Sequence, residues 1–193
     1  MTAIPTRTGP RDVAGLLLTP GAGAGRDHRT LVALEDALAP LPVRRVDFPY
    51  RQRGSRMPDR PTVAVPFLRE QVEAFAAELG VGTDRIVVGG RSYGGRMCSM
   101  AVADGLPVAG LVLLSYPLHP PGKPENLRIA HLPDIDVPVL AVSGRTDPFG
   151  TPDELARELA ALGGPWHLEL VTGPHDPADA PVIAAVRTWL GSH

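Results

Sequence analysis

Cysteine is nearly absent: Cys98 stands alone, so no internal disulfide can form and a reducing, cytoplasmic setting is expected. Lysine is nearly absent too. Lys123 is the only one, and with the alanine and proline richness this reads as coding bias more than as physics. Net charge is small, −2, so no global field argues for nucleic acid or an anionic membrane surface as a partner. Met1 to Arg11 lacks an apolar signal core, and no apolar run reaches membrane-spanning length. The histidines are scattered and none falls in a His-Glu-x-x-His pattern, so neither a metal site nor a cofactor is expected. Internal repeats, linkers and low-complexity tracts are also missing. With 193 residues the chain is long enough for one substantial core and too short for two comfortable ones.

What is present is an alternation of strands and helices. Residues 1–12 read as a loose lead-in and 13–193 as a single domain. Val13 to Thr19 reads as a buried strand ended by Pro20-Gly21-Ala22-Gly23-Ala24-Gly25. A helix start at Asp27 to Thr30 follows, with Leu31, Leu34, Ala37 and Leu38 as its apolar stripe. Val43 to Phe48 is a short strand, and Pro49 to Pro61 a loop whose Arg51, Arg53, Arg56 and Arg60 form a solvated face. Val63 to Leu79 carries apolar residues at helical spacing. Ile86 to Val88 is a strand, Arg96 to Ala103 a helix, and Val108 to Ser115 a strand buried on both faces. Tyr116 to Pro138 is irregular and proline-rich. After the strand Val139 to Ser143, Thr151-Pro152-Asp153-Glu154 opens a helix with a capping box. Trp166 to Val171 is the last strand, Gly173 to Ala180 a loop and Val182 to Leu190 the closing helix. Such alternation predicts an α/β fold, a mostly parallel sheet covered by helices on both faces.

The chemistry centres on Gly90-Arg91-Ser92-Tyr93-Gly94, a Gly-x-Ser-x-Gly between a strand and a helix. That is the context of a nucleophile elbow, where a strained serine stands clear of the sheet edge. The plainer alternative is a Gly-rich strand-to-helix turn with Ser92 as its N-cap. A serine hydroxyl needs a base, and the base needs a carboxylate to fix its tautomer. In the order serine, acid, histidine, Asp147 lies just past the strand Val139–Ser143 and His175 just past Trp166–Val171. The competitors are weaker. Asp153 belongs to a helix's first turn, Asp134 and Asp136 precede a strand, and Asp176 suits a local cap. His167 lies inside a strand, His131 in an irregular segment and His193 at the terminus.

Two backbone N–H groups must meet the oxyanion of acyl transfer. Tyr93 supplies one, and the Pro20–Gly25 loop the other, with Ala22 first and Gly23 second. That loop lacks the ending of a phosphate-binding P-loop and the spacing of a dinucleotide fingerprint. Arg91 either holds an acidic substrate group or braces the loops, and bracing is the favoured reading. Cys98, one turn into the helix, is expected to pack.

Thr19-Pro20-Gly21-Ala22-Gly23, Gly90 to Arg96, Ser115-Tyr116-Pro117-Leu118-His119-Pro120-Pro121-Gly122-Lys123 and Gly144 to Gly150 carry a resemblance. Over roughly residues 14 to 190 the chain resembles small α/β-hydrolase-like proteins related to a testis-expressed vertebrate protein. That family includes a subunit of a histone-acetyltransferase complex, with dienelactone hydrolases as distant relatives. The resemblance implies a minimal α/β-hydrolase fold without a large lid, with Ser92, Asp147 and His175 as nucleophile, acid and base. It also implies that some relatives act as scaffolds. Tyr116 and His119 either line a substrate pocket or shape the proline-rich turn. The expected function is hydrolysis of a small ester-type substrate; the alternative is a catalytically silent interaction module.

Overall fold

Buried residues alternate between two faces along each strand, as the pleat requires. In β1 (Gly15–Thr19) Leu16 and Leu18 join one apolar cluster and Leu17 the other, all three without solvent exposure. β3 (Ile86–Arg91), β4 (Gly110–Leu114) and β5 (Val139–Gly144) divide in the same way. Each fully buried aliphatic side chain contributes about 1.5–3 kcal/mol, so a strand apolar on both faces is stable only beneath two helical layers. The computed structural model describes residues 9–191. Most of the expected lead-in, and His193, fall outside the described residues.

The sheet has six parallel strands in the order β2-β1-β3-β4-β5-β6, where β2 is Val43–Arg45 and β6 is Trp166–Val171. One face is covered by α1 (Arg29–Leu38) and α6 (Asp179–Leu190). The other carries α3 (Pro61–Leu79), α4 (Tyr93–Ala103) and α5 (Pro152–Leu159). Neighbouring β1 and β3 therefore send their chains to opposite faces. A crevice opens where two such connections part, at the carboxyl ends of the strands. The Pro20–Gly25 loop and Ser92 follow those two strands and flank that point.

Local signals explain most boundaries, and the departures have reasons. Thr151 Oγ1 accepts from Glu154 N–H at 3.3 Å while Glu154 Oε2 accepts from Thr151 N–H at 2.8 Å, completing the capping box that opens α5. α3 starts two residues earlier than the apolar periodicity suggests, because Pro61 fits the first helical position. α6 likewise starts at Asp179, since Pro181 falls in the first turn, where no intrahelical N–H partner is required. α4 begins at Tyr93, directly after the elbow. The segment read as a loop from Pro49 contains a short helix, α2 (Pro49–Gln52), with Tyr50 wholly buried. Between β4 and β5 the connection holds only the single turn Leu132–Asp134, so the fold is small and has no large lid.

Candidate active site

Ser92 has φ +50° and ψ −116°, a conformation that L-residues seldom adopt and that the surrounding structure must enforce. Two glycines make the enforcement possible. A Cβ on Gly90 would stand 2.0 Å from Thr19 Oγ1, and one on Gly94 2.4 Å from the same atom and 2.5 Å from Pro20 O. β1 and the elbow can therefore close on each other only without side chains at those positions. Although Ser92 occupies the N-cap position of α4, its side chain makes no capping hydrogen bond. The hydroxyl is instead 2.9 Å from His175 Nε2.

His175 Nδ1 lies 2.8 Å from Asp147 Oδ2. Asp147 is 3 % exposed, and its other oxygen accepts from Phe149 N–H at 2.8 Å, which sets the carboxylate's direction. With Oδ2 as acceptor, Nδ1 carries the proton and Nε2 presents its lone pair to Ser92 Oγ–H. The Phe149 ring sits 4.2 Å from the imidazole, tilted by 32°, and limits its rotation. The fold thus brings Ser92, Asp147 and His175 into one hydrogen-bonded chain.

Arg91 is held by the loop that carries His175. It donates to His175 O at 2.8 Å and pairs with Asp176 at 3.1 Å. Asp176 also pairs with Arg29 at 3.0 Å, and Arg29 donates to Pro177 O at 2.8 Å. Two arginines from separate elements therefore tie down the loop that carries His175. Burial lowers the Arg91 pKa, with the Asp176 carboxylate opposing the shift. His28 caps α1 by accepting from Thr30 N–H at 3.3 Å, and burial, then Arg91, lower its pKa.

The amides of Ala22, Gly23 and Tyr93 find no acceptor among the described residues, although the Pro20–Gly25 loop is a closed turn with Ala24 N–H on Gly21 O at 3.1 Å. A Cβ built on Gly21 would lie 3.5 Å from Ser92 Cβ, so this loop borders the hydroxyl. The Tyr50 hydroxyl donates to Ala22 O at 2.9 Å, and the Tyr93 hydroxyl donates to Asp59 O at 2.7 Å. Asp59 in turn accepts from Tyr50 N–H at 2.8 Å and from Arg53 at 2.7 Å. Phe48 packs edge-on against Tyr93 at 5.0 Å. Residues 48–59 therefore brace both segments that carry those amides, a role the loop reading missed. The available signal was an aromatic pair, Phe48 and Tyr50, around Pro49. Burial raises the Tyr93 hydroxyl's pKa strongly, so it stays a neutral donor.

Tyr116 and His119 are turned into the fold. Tyr116 is 1 % exposed and donates to Arg128 O at 2.7 Å. His119 sits 2.8 Å from Pro120 O and 3.4 Å from Glu154 Oε2, so both residues shape the turn. Cys98 packs beneath the elbow, where burial pushes its thiol up to about 12. Among the described residues no group of three or more histidines, cysteines and carboxylates is arranged to hold a metal ion. No described helix is long and apolar enough to cross a membrane.

Residues 12–177 match the model of a family described as an alpha/beta hydrolase domain. Among solved structures, the chain is similar to a protein of the alpha/beta hydrolase superfamily from Xanthomonas campestris, with TM-score 0.67, 22% identity, and 92% of this chain and 96% of that one covered. An alpha-beta serine hydrolase homologue from Coxiella burnetii gives TM-score 0.70 and 15% identity over 94% of this chain and 87% of that one. A monoacylglycerol lipase from Paleococcus ferrophilus gives 0.68 and 16% over 94% and 95%. At these identities the likeness is one of fold.

Proposed function

The chain belongs to the alpha/beta hydrolase domain family, and we propose that it is a serine hydrolase acting on a small ester-type substrate through an acyl-enzyme. The observation that carries the reading is the chain Ser92 Oγ, His175 Nε2, His175 Nδ1, Asp147 Oδ2, with links of 2.9 Å and 2.8 Å, at a serine held in strained backbone. Ser92 Oγ attacks the carbonyl carbon as its proton passes to His175 Nε2. Asp147 keeps Nδ1 protonated and stabilises the imidazolium. The carbonyl oxygen, now negative, is met by the amides of Tyr93 and Ala22, with Gly23 next in line. His175 then returns the proton to the leaving alcohol, the C–O bond breaks, and Ser92 holds the acyl group. Water repeats the sequence through the same histidine and restores the free hydroxyl.

The absence of a large lid favours short acyl groups and soluble esters over long lipid chains. A cytoplasmic setting is proposed with it, from the single buried thiol. The narrower kinship with the testis-expressed group rests on the Ser115–Lys123 and Gly90–Arg96 segments alone. Fluorophosphonate labelling with intact-mass detection tests the mechanism. One adduct is expected on the wild type, none on Ser92→Ala, and strongly slowed labelling on His175→Ala. A folded wild type that takes no label would be an interaction module that kept the fold.

A further inference from the structure

One carboxylate oxygen beside His175 gathers groups from the other two segments of the candidate site. Asp176 Oδ1 lies 3.1 Å from Arg91, 3.0 Å from Arg29 and 3.7 Å from His28 Nε2. Asp176 follows His175 in the chain, and Arg91 precedes Ser92. His28 and Arg29 lie just past the Pro20–Gly25 loop, whose Gly25 O accepts from His28 N–H at 3.0 Å. Arg91 borders that loop directly, since a Cβ built on Gly21 would lie 3.6 Å from Arg91 Nη1. Its Nη2 donates to His175 O at 2.8 Å while facing Asp176 Oδ1. The Arg91 side chain is only 12 % exposed, and Asp176 is the one carboxylate within ion-pair distance of it among the described residues. A guanidinium so shielded depends on that partner far more than a surface arginine would.

The neighbouring helices are fastened by contacts that leave the Asp176 side chain out. Asp179 Oδ1 accepts from Thr30 Oγ1 at 2.6 Å and from Arg29 at 2.5 Å, and Arg29 donates to Pro177 O at 2.8 Å. Loss of the Asp176 charge would therefore leave α1 and α6 joined and release the guanidinium beside the elbow. Arg91 would then be held by a backbone carbonyl alone, and that carbonyl belongs to His175. Any turn of the side chain toward water passes to the histidine's backbone. The imidazole and the Ser92 hydroxyl stand 2.9 Å apart, and a displacement of about 1 Å can cost about a hundredfold in rate.

We propose that Asp176 is a positioning residue, which by fixing Arg91 against His175 O sets the distance and direction of the imidazole to Ser92 Oγ. It acts through Arg91 and the histidine backbone rather than on the reacting atoms. Its kinetic consequence rests on the hydrolase reading, and its geometric one on the contacts alone.

Asp176→Asn and Asp179→Asn, close in sequence but different in what they hold, make the test. In folded protein Asp176→Asn should slow fluorophosphonate labelling of Ser92 about ten- to a hundredfold, with Asp176→Glu recovering part of the rate. Arg91→Gln should match it, and the double variant should be no slower than either alone, because both break one link. Asp179→Asn should lower the denaturant midpoint and leave the labelling rate near that of the wild type. An unchanged rate in Asp176→Asn, or a like slowing in Asp179→Asn, overturns the proposal, the second by reducing Asp176 to part of a structural junction. Should Asp176→Asn not fold, Arg91→Gln is judged by the same outcomes. A wild type that takes no label loses the hydrolase reading, and crystal structures of wild type and Asp176→Asn then decide the positioning role. A Ser92 Oγ–His175 Nε2 link broken in the variant alone supports it, and a link kept in both overturns it.

Discussion

Replacing Asp147 by asparagine alters one atom and should separate orientation from packing. The asparagine would keep an oxygen for Phe149 N–H, which now lies 2.8 Å from Asp147 Oδ1. Its amide group would then face His175 Nδ1, where Oδ2 now accepts at 2.8 Å. Two donors cannot share that line, so Nδ1 gives up its proton and Nε2 takes one. Nε2–H then points at Ser92 Oγ and no lone pair is left to receive the serine proton. In another triad the same change costs about ten-thousandfold in kcat, or ~5.4 kcal/mol of barrier. The fold loses far less, about 1–3 kcal/mol for one disrupted buried hydrogen bond. Esterase kinetics, the fluorophosphonate labelling rate, imidazole nitrogen shifts and a denaturant titration read these quantities independently. Activity retained within about tenfold in a folded Asp147→Asn protein would refute the argument, since the carboxylate would then not be setting the tautomer.

Tyr50→Phe removes only the donor to Ala22 O. Turnover should fall about tenfold with KM little changed, and binding of a boronic acid transition-state mimic should weaken in parallel; an equal loss in substrate binding would deny the positioning role. Gly94→Ala drives a methyl group to 2.4 Å from Thr19 Oγ1 and must displace the start of the Pro20–Gly25 loop. The expected cost is about 1–3 kcal/mol in a denaturant titration, with activity falling further than stability explains. His131 titrates near 4 when folded and at the ordinary 6.5 when unfolded, so between those values the unfolded chain binds the extra proton. Stability should decline as pH falls from 6.5 toward 4, and His131→Gln should reduce that decline in pH-dependent melting. Cys98, its thiol held up at about 12 by burial, should resist alkylation at pH 8 until the protein unfolds.

Much of the architecture was readable because it follows from local rules. The apolar runs in β1, β4 and β5, the Thr151–Glu154 capping box and the Gly90–Ser92–Gly94 turn are dictated within a few residues by sterics, hydrogen bonding and burial. The order of Ser92, Asp147 and His175 along a βα alternation was enough to nominate them, since each follows a strand in the same sheet. Boundaries were less readable: Pro61 and Pro181 extend helices that apolar spacing alone starts later, and Tyr50 hides in a segment whose arginines look like solvated loop. Long-range partnerships were readable only as candidates, as with the triad and the bracing Arg91, and their contacts were not. Ser92 meets His175 across 83 positions, Tyr50 meets Ala22 across 28, and Arg91 turns to the His175 loop. Tyr116 and His119 turn inward. Such outcomes depend on strand register and on which face each helix covers, and no short stretch of sequence encodes either. The chain by itself determined which residues have the chemistry for the site. Only the tertiary structure decided which of them can touch.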